Sequence, residues 1–164
     1  MLGIISDTHE NTPLINEAVR LLKSRDPALV IHCGDIISPP TLQCFAGLRM
    51  RFVFGNNDGE RGGLRKRAQA LGFGDINDEL EFELDGKRFY VYHGTNPTII
   101  GDKTSSQLYD YVLFGHTHIP SDTRQGRTRA INPGALYMAS EYTIAFLDPV
   151  SDNLELVKVA PGGS

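Results

Sequence analysis

Leu2-Gly3-Ile4-Ile5-Ser6-Asp7-Thr8-His9-Glu10-Asn11-Thr12-Pro13 passes from an apolar run, through an aspartate and a histidine, to a proline-marked helix start. Leu2 to Ser6 reads as a buried β-strand. Thr12-Pro13 supplies an N-cap and a proline in the first helical turn. Leu14, Ile15, Ala18, Val19 and Leu22 then recur at helical spacing until Pro27. The unit is strand, polar loop, amphipathic helix.

The same unit repeats outward from this stretch. Ala28–His32 reads as a strand followed by Gly34-Asp35, and Ser38-Pro39 opens a shorter helix ending near Gly47. Arg51–Phe54 reads as a third strand, followed by Gly55-Asn56-Asn57-Asp58 and a basic helix over Arg61–Leu71. Leu80–Leu84 and Lys87–Tyr92 are strand-like runs joined by Asp85-Gly86, a type I′ hairpin signal. Phe89–Tyr92 leads into His93-Gly94, and Tyr111–Phe114 into Gly115-His116-Thr117-His118. Arg127–Ile131, Tyr142–Leu147 and Leu154–Val159 are further strands, separated by turns at Asn132-Pro133-Gly134 and Pro149–Asp152. Thr95–Gln107 reads as a polar loop bordering the pocket, and Ala160–Ser164 as a loose tail. The expected fold class is α/β: a sheet-rich sandwich with mixed parallel and antiparallel strands, flanked by helices, in one domain over 1–164.

Composition narrows the function classes. At 164 residues and 40% hydrophobic, the chain can bury a real core without a second domain. A net charge of -4 argues against an extended nucleic-acid footprint, and the basic run Arg61–Arg67 reads as the solvated face of a helix. Cys33 and Cys44 form neither a CxxC motif nor a disulfide framework, and Cys33 is read as a buried thiol. With no basic leader and no apolar run near the ~20 residues of a membrane span, the expected location is the cytoplasm.

The motifs at the strand ends share one chemistry. In an open α/β sheet, ligands bind where strands end, so residues remote in sequence converge there. The spacing i, i+2 in Asp7/His9 and His116/His118 sends both side chains to one side if the backbone is extended. Singly, His9, His93 or Gly34-Asp35 would pass as an ordinary polar residue or a capped turn. Jointly, four histidines, two aspartates and an asparagine after successive strands form the donor set of a two-metal site. His32, on an apolar strand, is read as buried or interfacial. Arg127 and Arg129 are assigned no role.

The ordered set Asp-x-His, Gly-Asp, Gly-Asn-x-Asp, His-Gly and Gly-His-x-His resembles the calcineurin-like metallophosphoesterase superfamily, and more narrowly its small stand-alone phosphodiesterases. The resemblance implies an α/β/β/α sandwich and a phosphodiester-hydrolysing enzyme. It also implies one metal held by Asp7, His9, Asp35 and His118 and a second held by Asp35, Asn56, His93 and His116. Asp35 bridges the pair and holds a metal-bound hydroxide as the nucleophile, so no serine or cysteine nucleophile is needed. Nitrogen and oxygen donors without thiolate fit manganese, iron, nickel, cobalt or zinc, and the resemblance favours manganese among them. Asn57 stands where larger members of the superfamily carry a histidine that serves the leaving group. Asparagine cannot act as a general acid, so Asn57 and Asp58 are expected to support the ligands. The expected partner is a small phosphodiester, with a homo-oligomer open. The contrasting expectation is a weakly catalytic or non-catalytic interaction scaffold, since the retromer complex contains a subunit of this fold.

Overall fold

Gly3 sets how closely the first helix can approach the first strand. In a computed structural model of the chain, which describes residues 1–162, an ideal Cβ at Gly3 would stand 2.7 Å from Leu22 Cδ2. The strand is β1 (Leu2–Ile5) and the helix α1 (Thr12–Arg25). Then follow β2 (Leu29–His32), a 3-10 helix over Pro39–Phe45, β3 (Met50–Phe52) and α2 (Arg61–Ala70). The second half holds β4 (Glu79–Leu84), β5 (Lys87–Tyr92), α3 (Pro97–Ser105) and β6 (Tyr111–Leu113). It ends in β7 (Ser121–Gln125), β8 (Thr128–Asn132), β9 (Thr143–Asp148) and β10 (Asn153–Lys158).

Two five-stranded sheets form, in the orders β10-β9-β1-β2-β3 and β4-β5-β6-β8-β7. The strands β1, β2 and β3 pair in parallel, as do β5, β6 and β8, and antiparallel strands complete each sheet. Period-2 alternation sorts the side chains between layers. Ile5, Ile15, Leu22, Phe52 and Leu64 pack between the first sheet and its helices. Ile4, Ile31, Val53, Phe89, Leu113 and Ile131 fill the space between the sheets. Tyr90, Tyr109 and Val112 pack with Ile99 and Ile100 of α3. The layers are α/β/β/α, and the strands at the middle of each sheet are buried on both faces, which explains their unbroken apolar sequences.

Local structure departs from expectation where polar residues carried the signal. Asn11, not Thr12, occupies the N-cap of α1, and its amide donates instead to Leu136 O at 2.9 Å. The segment after Ser38 is 3-10 rather than α-helical; Pro39-Pro40 removes two successive backbone donors. The expected loop over Thr95–Gln107 contains α3, capped by Asn96, whose side chain accepts from Thr98 N, with Pro97 opening the helix. The edge strand β7 is almost wholly exposed and polar, so it has no apolar alternation to reveal it. The Asp85-Gly86 hairpin forms with both residues at positive φ, 53° and 73°, as a type I′ turn requires. Residues 160–162 carry no regular structure, and the rest of the expected tail lies outside the described residues. No helix among the described residues is long and apolar enough to cross a membrane.

Candidate metal centre

All five motifs lie at the C-terminal ends of parallel strands, three in the first sheet and two in the second. Glycine lets their loops touch. A Cβ at Gly34 would stand 2.7 Å from His93 Nδ1, one at Gly55 would stand 2.1 Å from Asp35 Oδ1, and one at Gly115 would stand 2.0 Å from Ser6 Oγ. Gly34 also holds φ at +104°, a value that side chains rarely adopt. Backbone bonds latch the loops: Asp7 N donates to Gly34 O at 3.0 Å, His9 N to Asp35 O at 3.0 Å, and Gly115 N to His93 O at 2.8 Å.

The side chains meet in two groups. Asp7, His9 and His118 form one, and Asp7, Asp35 and His93 form the other, with the ligating atoms of each group within 4.8 Å of one another. His118 Nε2 lies 3.2 Å from Asp7 Oδ1, and both His9 Nε2 and His93 Nε2 lie 3.5 Å from Asp35 Oδ2. Asn56 and His116 close the outer side. His116 Nδ1 is 3.1 Å from Asn56 Oδ1, and its ring stands edge-on to that of His93 at 5.2 Å.

Tautomers decide what these contacts mean. His93 Nδ1 lies 2.7 Å from Cys33 O, and His118 Nδ1 lies 3.2 Å from Met138 O. A carbonyl can only accept, so each Nδ1 carries a proton, and Nε2 is the nitrogen that each ring turns inward, a lone-pair donor whenever the ring is neutral. In the neutral form these lone pairs face carboxylate oxygens across 3 to 4 Å, a repulsion that a cation between them would relieve. Asp7 Oδ1, His9 Nε2 and His93 Nε2 are buried with no hydrogen-bond partner. An orphaned buried polar atom costs about 1–3 kcal/mol, and these three are shared between the two groups, His9 in one, His93 in the other and Asp7 in both, which fits divalent cations at either group.

Asp35 is the most elaborately supported of the candidate ligands. Asn57 donates to it twice, from its amide to Oδ2 at 2.8 Å and from its backbone to Oδ1 at 3.0 Å. Burial pushes the Asp35 carboxyl up, but the imidazoles of His9 and His93 and the Asn57 amide outweigh it and hold the group well below the usual carboxylate range. Burial likewise pushes His93 down, and the carboxylates of Asp35 and Asp7 reverse the direction. Asp58 contacts no ligand side chain. Its carboxylate accepts from the backbone of Asp35, Ile36, Ile37 and Gly55 at 2.7 to 3.0 Å, binding the second and third motif loops to each other.

A family model described as the calcineurin-like phosphoesterase superfamily domain matches residues 1–152. The chain belongs to the calcineurin-like phosphoesterase superfamily. It is similar to a phosphodiesterase of Methanocaldococcus jannaschii, 34% identical over 152 residues, which span 90% of this chain and 92% of that protein. Among solved structures, an archaeal phosphodiesterase superposes with a TM-score of 0.91 at 31% identity, covering 96% of this chain and 99% of the other. A Vps29 from Entamoeba histolytica shares the fold, with a TM-score of 0.70 at 16% identity over 97% of this chain and 99% of that one.

Within this phosphoesterase fold, the i, i+2 pairs converge for a different reason than extended backbone. Asp7, His9, His116 and His118 all have positive φ, 46° to 69°, so each pair sits on a tight left-handed loop. Such backbone is costly and persists where surroundings over-determine it. Sequence reading also missed Ser6, Tyr137 and Asn132. Ser6 Oγ donates to Asp7 Oδ2 at 2.6 Å, and Tyr137 stacks on His9 with ring centres 4.0 Å apart. Asn132 donates to Gly115 O at 2.9 Å, and the Asn-Pro-Gly turn was its only sequence signal. Arg127 and Arg129 are engaged with Asp110, Asp122 and Asp152. Cys33 is a buried free thiol whose burial raises its pKa, as expected of an inert cysteine.

His32 is wholly buried and ties the first two motif loops together. Gly34 N donates to its Nδ1 at 3.1 Å, which leaves the proton on Nε2 to donate to Thr8 Oγ1 at 2.9 Å. Burial and the nearby His93 push its pKa from an ordinary 6.5 down to about 3. The unfolded chain therefore binds a proton that the folded chain refuses between those values, and stability falls as pH drops through that window. His32→Asn is expected to be less stable than wild type at pH 7, with the gap narrowing toward pH 4 by up to about 1.4 kcal/mol per pH unit. Urea unfolding at both pH values measures this, and a constant gap would contradict it. Gly115→Ala is expected to lose about 1–3 kcal/mol of stability by overpacking against Ser6 and Asp7 and to bind manganese more weakly. Wild-type metal affinity in the alanine variant would refute the close approach as a requirement.

Proposed function

We propose that this chain, as one domain over residues 1–164, is a metal-dependent phosphodiesterase acting on a small phosphodiester through a dinuclear centre. The observation that carries this reading is the convergence of the partnerless Asp7 Oδ1, His9 Nε2 and His93 Nε2 where the two sheets meet. Asp7, His9, Asp35 and His118 would hold one ion, and Asp35, Asn56, His93 and His116 the other. Asp35 is the bridge in this reading because its Oδ2 stands equally far, 3.5 Å, from a histidine of each set. Bound there, divalent ions would supply positive charge for the phosphoryl oxygens and acidity for a water nucleophile. The nitrogen and oxygen donors suit manganese, with nickel, iron, cobalt or zinc as competitors.

The chain's own residues do the positioning. Nδ1–H bonds to the Cys33 and Met138 carbonyls aim His93 and His118, and the Asn57 amide fixes the bridging carboxylate. With its amide committed to Asp35, Asn57 offers the leaving group no acid. Diesters with acidic leaving groups should therefore be preferred over alkyl diesters. Both cysteines are free, in keeping with a reducing cytoplasmic setting. The scaffold alternative rests on fold likeness alone, whereas each of the seven ligand positions holds a competent side chain.

Chelator-stripped protein given manganese, nickel, zinc or magnesium separately is expected to recover hydrolysis of bis(4-nitrophenyl) phosphate, with manganese foremost. Asp35→Asn and His116→Ala should each abolish that activity while keeping the wild-type circular dichroism spectrum. Folded variants that turn over like wild type would sink the ligand assignment. Metal-loaded wild-type protein without turnover would move the reading to the scaffold.

A further inference from the structure

A hollow of about 340 Å³ opens beside His9 and is lined by His9, Glu10, Asn11, Ile37 and Tyr137. Its walls are held firmly. Ile37 is a β-branched residue at φ +79°, a costly conformation, and the Asp58 carboxylate pins it by accepting from its backbone N–H at 2.7 Å. Tyr137 lies on the His9 ring at an interplanar angle of 23° and still exposes 38% of its surface. Asn11 spends one amide hydrogen on Leu136 O, which fixes its side chain on the wall.

The lining has a defined chemistry. Tyr137 and Ile37 offer an aromatic and an aliphatic surface, while the Glu10 carboxylate and Asn11 carbonyl oxygen offer acceptors. A carboxylate beside the hollow repels a second phosphate, and neither Lys nor Arg lines it to offset that charge. What fits is an uncharged, planar aromatic group bearing hydrogen-bond donors. We propose that this hollow is a specificity subsite that receives a nucleobase-like arm of the phosphodiester against Tyr137. The inference rests on the phosphodiesterase reading, because His9, which lines the hollow, is one of the proposed ligands at which the phosphorus would be held.

The test compares adenosine 5′-(4-nitrophenyl) phosphate with methyl 4-nitrophenyl phosphate, two diesters that share a leaving group and differ only in the arm. Wild type should favour the adenosine diester. Tyr137→Ala should cut its kcat/KM, mostly through KM, about tenfold more than it cuts that of the methyl diester, and Tyr137→Phe should retain the preference. Equal losses on both diesters would mean that Tyr137 only positions His9, and the subsite would be overturned. If wild type hydrolyses neither diester, the phosphodiesterase reading fails, and binding to zinc-loaded protein still decides the subsite. Calorimetry should then show adenosine 5′-monophosphate binding about tenfold tighter than methyl phosphate, with the gap lost in Tyr137→Ala. Equal binding of the two ligands to wild type would overturn the subsite.

Discussion

Two carboxylates, Asp7 and Asp35, are buried side by side at the ends of neighbouring parallel strands, and neither faces a lysine or arginine. Isolated charge in such surroundings is expensive. The chain answers with three imidazoles at 3.2 to 3.8 Å, and hydrogen bonds to the Cys33 and Met138 carbonyls use Nδ1 of two of those rings, so that Nε2 is the atom turned toward the carboxylates. The arrangement is electrostatically incomplete as built from protein atoms. A divalent cation would supply the missing positive charge, in keeping with the two groups of candidate metal ligands.

Holding that centre together falls to residues outside the candidate ligand set. Asp58 gathers four backbone N–H groups from two loops, His32 joins Thr8 to Gly34, and Asn132 holds the Gly115 loop. These bonds fix six left-handed non-glycine residues around the centre: Asp7, His9, Asp35, Ile37, His116 and His118. The two sheets supply the platform, because central strands buried on both faces cannot slide without exposing their apolar side chains.

Much of this was legible in the chain. Each buried parallel strand reads as an apolar run, and each motif follows one directly, so the positions of Asp7, Asp35, Asn56, His93, His116 and His118 at strand ends follow from periodicity. The family resemblance, drawn from five motifs in order, agrees with the family match over residues 1–152. Elements without apolar periodicity were not legible: β7 is an exposed polar edge, and α3 buries only Thr104. Contacts between distant segments were equally hidden. Tyr137 on His9 and Asn11 on Leu136 join residues more than a hundred positions apart, and no local pattern encodes them. The left-handed backbone of the i, i+2 pairs differs from the extended form that their spacing suggests, because the spacing carries no turn signal of its own.

The most direct test of the central claim is anomalous diffraction from crystals of the protein loaded with manganese. Two peaks per chain are predicted, with Asp35 in contact with both and His9 and His118 on one side of it from His93 and His116. A single peak, or peaks away from Asp7 and Asp35, would contradict the account.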